Sequence, residues 1–242
     1  MAETTVIEQV RAIVDREPTL DGAVGMADWL GRLCRATVHA LPAASAGVSV
    51  MGADGARGVA AISDPDDLWL AELQFTLGEG PSLDAHSWGR PVLVPDLDAG
   101  AMRRWPGYAP AAVEKGVRSV FAFPMQIGAA RLGVFDVYRE QTGSLSKPAF
   151  SQAVAFADVA LTTLLDGQHD APPGEVGLGL GEALEPRAVI YQAQGMVTVQ
   201  LGVDLAEAMV RIRAHAYANQ QPITSVASDI VSRKIRLEDD RS

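Results

Sequence analysis

Positively charged side chains near the C-terminus are the residues of this chain whose types and spacing suggest chemistry. Residues 187–237 hold six Lys and Arg against three Asp and Glu, although the whole chain of 242 residues carries a net charge of −10. Guanidinium groups pair with phosphates through forked N–H donors or stack on unpaired bases, and Tyr rings stack as well. The acidic remainder of the chain repels nucleic acid, so any such binding is expected in this segment.

Patterns typical of catalytic sites are missing from the sequence. It contains no P-loop, no H-E-x-x-H motif and no paired cysteines at metal-ligand spacing. The glycine-rich stretch at 177–184 lacks the strand-before-helix setting of a dinucleotide-binding loop. We therefore expect a binding protein rather than an enzyme, with no metal and no evident cofactor.

Composition points to a globular protein of the cell interior. Hydrophobic residues make up 48% of the chain, which is enough for a core. The lone Cys34, on the apolar face of a predicted helix, excludes an internal disulfide and fits a reducing compartment. The N-terminus lacks the apolar region of a signal peptide, and no apolar run approaches the roughly 20 residues of a bilayer span. We expect a cytoplasmic protein with no membrane contact.

A segment rich in glycine and proline, at 166–186, divides the chain. We predict a larger domain of mixed helices and strands, the body, ahead of this break and a small helical unit after it. The predicted parts are an N-terminal helical segment at 1–19, a mixed domain at 20–167, a linker at 168–186, a three-helix unit at 187–237 and an acidic tail at 238–242.

The body alternates helical and strand patterns in the order helix, two strands, helix, strand, helix, two strands, helix. The first two strands form a predicted hairpin that turns at residues 52–55. Hairpins that follow one another along the chain imply an antiparallel sheet with helices packed on it. The fold class is therefore α+β.

The residues after 186 divide into three amphipathic helices. Ile190, Ala193 and Val197 form an apolar stripe at helical spacing, and Gly202 follows as the end of the first helix. Asp204 begins the second helix with a D-x-x-E capping pattern. A core built from roughly fifty residues is marginal alone, which favours a homodimer.

The body carries motifs of a known sensory family. The segments are Gly78-Glu79-Gly80-Pro81, the strand in "GRPVLVPDL" and the turn Gly116-Val117-Arg118-Ser119. With them, residues 20 to 167 resemble a GAF domain, which implies a sensory or dimerising module and leaves open a small-molecule effector. Candidates for lining a ligand pocket are Trp69, Phe75, His86, Trp88 and Tyr108.

The C-terminal segment carries four further motif blocks. They are Ile190-x-x-Ala193-x-Gly195-Met196-Val197, Glu207-Ala208-Met209, Ile212-Arg213-x-x-Ala216 and Val226-Ala227-x-x-Ile230-Val231. At this spacing the segment resembles the ANTAR domain, the RNA-binding module of bacterial transcription antiterminators. One position departs from the family, which usually has Lys or Arg where this chain has Gln194. The substitution removes a positive charge that would pair with phosphate.

The two resemblances together imply a regulator of the bacterial GAF-ANTAR type. Such a protein would hold RNA stem-loops in nascent transcripts and so promote transcription antitermination, under control of the GAF domain. Small residues at Ala193 and Gly195 predict a close approach of another helix or backbone. The candidate RNA-binding residues are Arg187, Tyr191, Gln194, Gly195, Arg213, Arg233, Lys234 and Arg236.

Two other functions fit parts of the same sequence. The helical tail of a sensory or dimerisation protein can bind another protein, and such an apolar interface would be insensitive to salt, whereas RNA binding weakens steeply with salt. A DNA-binding helix-turn-helix regulator would need several exposed base-reading groups on its recognition helix. Residues 224–235 offer mainly serines and Arg233, so DNA binding ranks last.

Overall fold

The computed structural model describes residues 2–19, 25–51, 57–169, 178–219 and 221–237. Contacts divide the chain into two compact units, Met1–Ala183 and Leu184–Ser242. The predicted hairpin turn at 52–55 and the predicted acidic tail at 238–242 lie outside the described residues.

The first unit contains a five-stranded sheet. Its strands are β1 (Ser45–Met51), β2 (Arg57–Ile62), β3 (Val92–Val94), β4 (Ser119–Ile127) and β5 (Ala130–Arg139). They lie in the order β2-β1-β5-β4-β3, and every neighbouring pair is antiparallel. The predicted antiparallel α+β fold is confirmed.

Seven helices of the first unit follow the same chain order. They are α1 (Ala2–Val14), α2 (Gly25–Ala40), α3 (Leu68–Leu77), α4 (Pro81–Trp88), α5 (Ala99–Arg104), α6 (Tyr108–Glu114) and α7 (Lys147–His169). The sequence patterns did not predict α4 and α5, which are helices of eight and six residues. The α5 helix is fixed locally, since the Asp98 carboxylate accepts hydrogen bonds from the N–H groups of Gly100 and Ala101.

One face of the sheet packs on α2 and α7. Phe135 of β5 stacks on Phe156 with ring centroids 6.4 Å apart, and Phe123 of β4 contacts Phe150 at 5.7 Å. Cys34 of α2 is fully buried in this layer, as its place on an apolar helix face predicts. Burial raises the pKa of the thiol, so Cys34 is an inert core residue.

The α7 helix corrects one expectation about apolar length. Over Lys147–Asp166 it is long and apolar enough to cross a membrane by length and composition alone. Its apolar residues Phe156, Val159 and Ala160 are buried, and the helix contacts β4 and β5 along with α1 and α2. These contacts account for its apolar character through packing in the core of the unit.

The opposite face of the sheet is covered by α3, α4, α5 and α6. The Gly78-Glu79-Gly80-Pro81 motif forms the joint between α3 and α4: Gly78 ends α3 at φ 72° and Gly80 precedes α4 at φ 138°, both in the left-handed region that favours glycine. The Glu79 carboxylate accepts hydrogen bonds from the N–H groups of Gly107 and Tyr108 at 2.7 and 2.9 Å. The motif therefore ties the start of α6 to the joint between α3 and α4.

The second unit is a bundle of α8 (Leu178–Leu201), from Leu184 onward, with α9 (Leu205–Ala218) and α10 (Ile223–Val231). Its core contains the predicted apolar stripe together with residues from the other two helices. The buried members are Ile190, Ala193, Val197, Ala208, Ile212, Ala216, Ile223, Val226, Ala227, Ile230 and Leu237. Gly202 ends α8 at φ 64°, and the Asp204 side chain caps α9 by accepting the Glu207 N–H at 2.8 Å.

The start of α8 lies inside the predicted linker. Residues 178–186, assigned to the linker for their glycine and proline content, are the first turns of the helix. Strong helix formers at 182–185, Glu-Ala-Leu-Glu, outweigh the glycines and the proline nearby. The remaining linker residues 170–177 lie outside the described part of the chain.

Candidate functional site

The chain turns back on itself after α10. Arg233 has φ 60°, a left-handed conformation that is uncommon for a residue with a side chain. Beyond this turn, Ile235 and Leu237 pack against the core of the second unit, and the Gln200 side-chain amide of α8 donates a hydrogen bond to the carbonyl of Leu237. Residues 233–237, the return segment, therefore lie beside α8.

A groove of about 760 Å³ runs between α8 and the return segment. Its lining combines apolar side chains, amides and two guanidinium groups, and it contains no carboxylate among the described residues. The lining residues are Gln192, Gly195, Met196, Val199, Gln200, Ile230, Arg233, Ile235 and Arg236. An apolar floor with a cationic border suits a ligand that has both flat apolar surface and negative charge.

Gly195 leaves open space in this groove. A Cβ atom built on Gly195 would meet no atom within 4 Å among the described residues outside its own helix backbone and chain neighbours. Ala193 is fully buried, whereas no atom of the described part of this chain approaches Gly195 closely. Val199, one turn further along α8, is 84% exposed. Gly195 and Val199 therefore leave an open, apolar area on one side of α8.

The structure brings three of the predicted RNA-binding residues together. Gly195, Arg233 and Arg236 line the groove, and Tyr191 lies one helical turn before Gly195 with 39% of its surface exposed. Arg187 is also on α8, but its side chain lies outside the described part of the structure.

Three other predicted residues are placed elsewhere. The Gln194 amide donates a 2.6 Å hydrogen bond to the carbonyl of Leu205, which fastens α8 to the start of α9. The Lys234 ammonium pairs with the Asp229 carboxylate at 3.2 Å and is not among the groove residues, unlike its neighbours Arg233 and Arg236. Arg213 lies partly buried on α9 and is not among the groove residues.

Sequence reasoning missed most of the groove floor. Met196, Val199 and Ile235 line it, and the only sequence signal was that Val199 is apolar yet lies off the core stripe of α8. The groove also depends on the return segment, which is not helical and therefore has no periodic hydrophobic pattern by which the sequence could predict it.

Three of the five candidates for a ligand pocket in the first unit belong to one core cluster, and the other two lie on α4. Phe75 and Tyr108 are buried in the core, and Trp69 packs partly exposed against the same cluster. His86 is partly exposed on α4. Trp88 is 43% exposed, with the guanidinium groups of Arg90 and Arg104 over its ring at 5.0 and 4.3 Å.

A buried polar network connects the sheet of the first unit to α3 and α4. The Ser82 hydroxyl of α4 donates to the Asp136 carboxylate at 2.7 Å, and the Gln74 amide of α3 donates to Ser82 at 2.5 Å and to the Tyr138 hydroxyl at 3.3 Å. The Ser82 N–H donates to the Gln74 carbonyl oxygen at 2.8 Å. A side chain at Gly80 would overlap the Gln74 amide, which explains the glycine.

Asp136 is the charged residue of this network, and it is 1% exposed. Burial raises its pKa to about 7, while hydrogen bonds from Ser82 and Tyr138 act in the opposite direction. Its second carboxyl oxygen and the Tyr108 hydroxyl have no hydrogen-bond partner among the described residues. No sequence pattern pointed to this residue, since one Asp in a strand pattern is ordinarily assigned to the solvent face.

Comparison with known proteins assigns a family resemblance to each unit. Residues 179–231 match the family model of the ANTAR domain. The GAF domain of a phosphoenolpyruvate-protein phosphotransferase from Coxiella burnetii is similar in structure, with 14% identity and a TM-score of 0.53 over 69% of this chain and 95% of that one. The corresponding domain from Acinetobacter gives 13% identity and a TM-score of 0.50 over 70% of this chain and 96% of that one. At these identities the likeness shows the fold, and no curated protein matches the chain.

Proposed function

We propose that this chain, which has a GAF fold and an ANTAR domain at residues 179–231, binds RNA stem-loops in nascent transcripts and promotes transcription antitermination. The GAF unit would serve as the sensory part of the regulator. The single observation that carries the RNA assignment is the groove beside α8, which lies in the second unit and joins Arg233 and Arg236 to an apolar floor.

The groove matches the way proteins hold RNA. A-form duplexes hide their base edges in a deep, narrow major groove, so proteins take hold of loops, unpaired bases and backbone. Arg233 and Arg236 can pair with backbone phosphates, while Met196 and Val199 offer apolar surface to the face of an unpaired base. The open space at Gly195 leaves room for such a base to approach the helix.

Gln194 stands where the ANTAR family usually has Lys or Arg, and its position shows whether the groove loses a positive charge. Its amide is engaged with the Leu205 carbonyl between α8 and α9, and it does not line the groove. The charge lost there is therefore not a charge lost from the groove, where Arg233 and Arg236 remain. We propose that RNA binding relies on these two residues.

In the proposed mechanism a homodimer holds two stem-loops at once, which prevents the competing terminator hairpin from forming. Binding both loops raises the effective concentration of the second without any new kind of contact. A change in the GAF unit would alter the availability of the two RNA-binding units. The proposed protein is a cytoplasmic regulator and not an enzyme, and a small-molecule effector of the GAF unit is compatible with it.

The test measures RNA binding by the full chain and by a variant with Arg233→Ala and Arg236→Ala. The probes are a leader RNA with two hairpins and a control RNA with one, titrated at low and at physiological salt. Arg211→Ala is the matched control, because Arg211 is paired with Glu207 at 2.8 Å and does not line the groove. Transcription through a terminator on the same leader, with and without the protein, reports antitermination directly.

We expect preferential, salt-sensitive binding to the two-hairpin RNA, weakened in the double variant and retained in the Arg211 control. Loss of two phosphate contacts lowers the slope of log affinity against log salt by about 1.4 to 1.8. Equal weakening in the control would contradict the groove as the RNA surface. No RNA binding at either salt would favour the alternative in which the exposed apolar residues of the second unit, such as Val199, bind another protein.

A further inference from the structure

The carboxyl group of Asp136 lies in an apolar layer between the sheet and the helices that cover it. Its neighbours across the strands are Gly47 of β1 and Ala122 of β4, which have no polar side chain. Its recorded hydrogen-bond partners, Ser82 and Tyr138, are neutral hydroxyl groups. Removing a charge from water without a counter-charge is costly, whereas hydroxyl donors favour the charged form. The two effects oppose each other, and burial is the larger of the two, so the pKa of the carboxyl group is raised to about 7.

The other titratable groups around Asp136 do not supply a counter-charge. Tyr138 on the same strand, Tyr108 on α6 and Cys34 on α2 interact with its charge, and burial raises the pKa of each, which keeps all three neutral near pH 7. The α3 helix contributes the uncharged amide of Gln74. On α4 the ionisable residues are His86 and Asp84, which is paired with Arg104. Asp67, ahead of α3, hydrogen-bonds Ser45 on β1.

We propose that Asp136 is a proton-sensing residue of the first unit, and that the charge of its carboxyl group sets how α4 packs on the sheet. The ionised form places a negative charge beneath α4 and strengthens the hydrogen bond from Ser82. The neutral form removes that charge and adds an O–H donor at the carboxyl oxygen that has no partner among the described residues. This inference concerns the first unit alone and holds whether or not the second unit binds RNA.

The α4 helix can transmit the change to a spectroscopic reporter. Asp84, two residues after Ser82, accepts hydrogen bonds from the Trp105 indole N–H and from Arg104, both at 3.0 Å. Trp105 is buried beside this helix, so a shift of α4 alters the hydrogen bond and the surroundings of its ring. Tryptophan emission of the full chain therefore reports the state of Asp136.

The experiment follows tryptophan emission of the full chain between pH 5 and 9 for the natural sequence, Asp136→Asn and His86→Gln. Asn keeps the acceptor for Ser82 and mimics the neutral acid, so this variant retains the network. His86 lies one turn after Ser82 on α4, and imidazole ordinarily titrates in this range. We expect a one-proton transition with a midpoint near pH 7 in the natural chain and in His86→Gln, and none in Asp136→Asn.

Persistence of the transition in Asp136→Asn, or its loss in His86→Gln, would overturn the proposal. A second measurement does not depend on any variant that could misfold. The ¹³C resonance of the Asp136 carboxyl carbon in the natural chain should move from the neutral to the ionised position across the same range. A resonance that stays in one form from pH 5 to 9 would refute proton sensing at this residue.

Discussion

Gly195→Ala should change the stability of the second unit and the affinity of the groove for a ligand in opposite directions. Gly195 lies inside α8, where glycine is a poor helix former, and its space is open in the described structure. An added methyl group therefore meets no atom in the described part of the chain. The second unit should become more stable, while any ligand that uses the open space should bind less well.

The magnitude follows from helix propensity. Alanine in place of glycine in a helix interior stabilises by about 0.8–1.0 kcal/mol. Gly195 does not have a positive φ, so alanine at this position introduces no backbone strain that would offset the gain. A gain of 1 kcal/mol slows exchange through opening of the unit about fivefold, since RT is about 0.59 kcal/mol.

Hydrogen exchange at the backbone amides of α8 measures this local stability within the full chain. Tryptophan fluorescence would not serve, because all four tryptophans precede residue 106 and so belong to the first unit. The same preparation is then titrated with the two-hairpin RNA. A methyl group forced into a filled contact costs about 1 kcal/mol or more, or a loss of affinity of about fivefold or more.

Gly202→Ala is the control with the opposite sign. Gly202 ends α8 with φ 64°, where a side chain is strained, so alanine should speed the exchange of α8 amides. If Gly195→Ala also speeds exchange, the space around Gly195 is not open and the reasoning fails. If it slows exchange but leaves RNA affinity unchanged, the groove is not the RNA surface.

Three further outcomes can be checked independently. Arg233→Ala and Arg236→Ala should each weaken RNA binding and lower the salt dependence of the affinity, measured by titration at several salt concentrations. The pKa of Asp136 is raised to about 7 in the folded state, against an ordinary 3.8, so folding favours the protonated carboxyl group. The contribution of Asp136 to the free energy of unfolding is therefore fully present below about pH 4 and is lost as pH rises towards 7. The loss amounts to about 4 kcal/mol, and chemical denaturation of Asp136→Asn should lack it. Gly80→Ala should destabilise the first unit by about 1–3 kcal/mol more than Gly143→Ala in thermal unfolding, because both have positive φ but only Gly80 abuts a side chain.

The parts of the fold that the sequence predicted are those set by local rules. The apolar stripe of Ile190, Ala193 and Val197 reached the core of the second unit, because helical spacing alone decides which face an amphipathic helix buries. Gly202 and Asp204 ended and began helices as predicted, since each acts on backbone groups within a few residues of itself. The antiparallel sheet followed from the succession of hairpins.

The parts that the sequence did not predict depend on contacts between distant residues. The return segment exists because Arg233 adopts a left-handed conformation and Leu237 finds a partner in Gln200, 37 positions earlier. The network at Asp136 joins residues 54 positions apart across a sheet register that no short pattern encodes. The candidate groove also depends on contacts between distant residues, because α8 forms one wall and the return segment, which has no regular secondary structure, forms the other.

Gly80 and Gly195 differ in whether the fold leaves room for a side chain. Gly80 is required by the fold, because the Gln74 amide occupies the place where its side chain would be. Gly195 faces no such neighbour among the described residues, although its helix would be more stable with alanine. The fold of the second unit does not account for this glycine, and the proposed entry of a ligand into the groove would account for it. The guanidinium groups of Arg233 and Arg236 on the same groove suit an anionic ligand such as the proposed RNA.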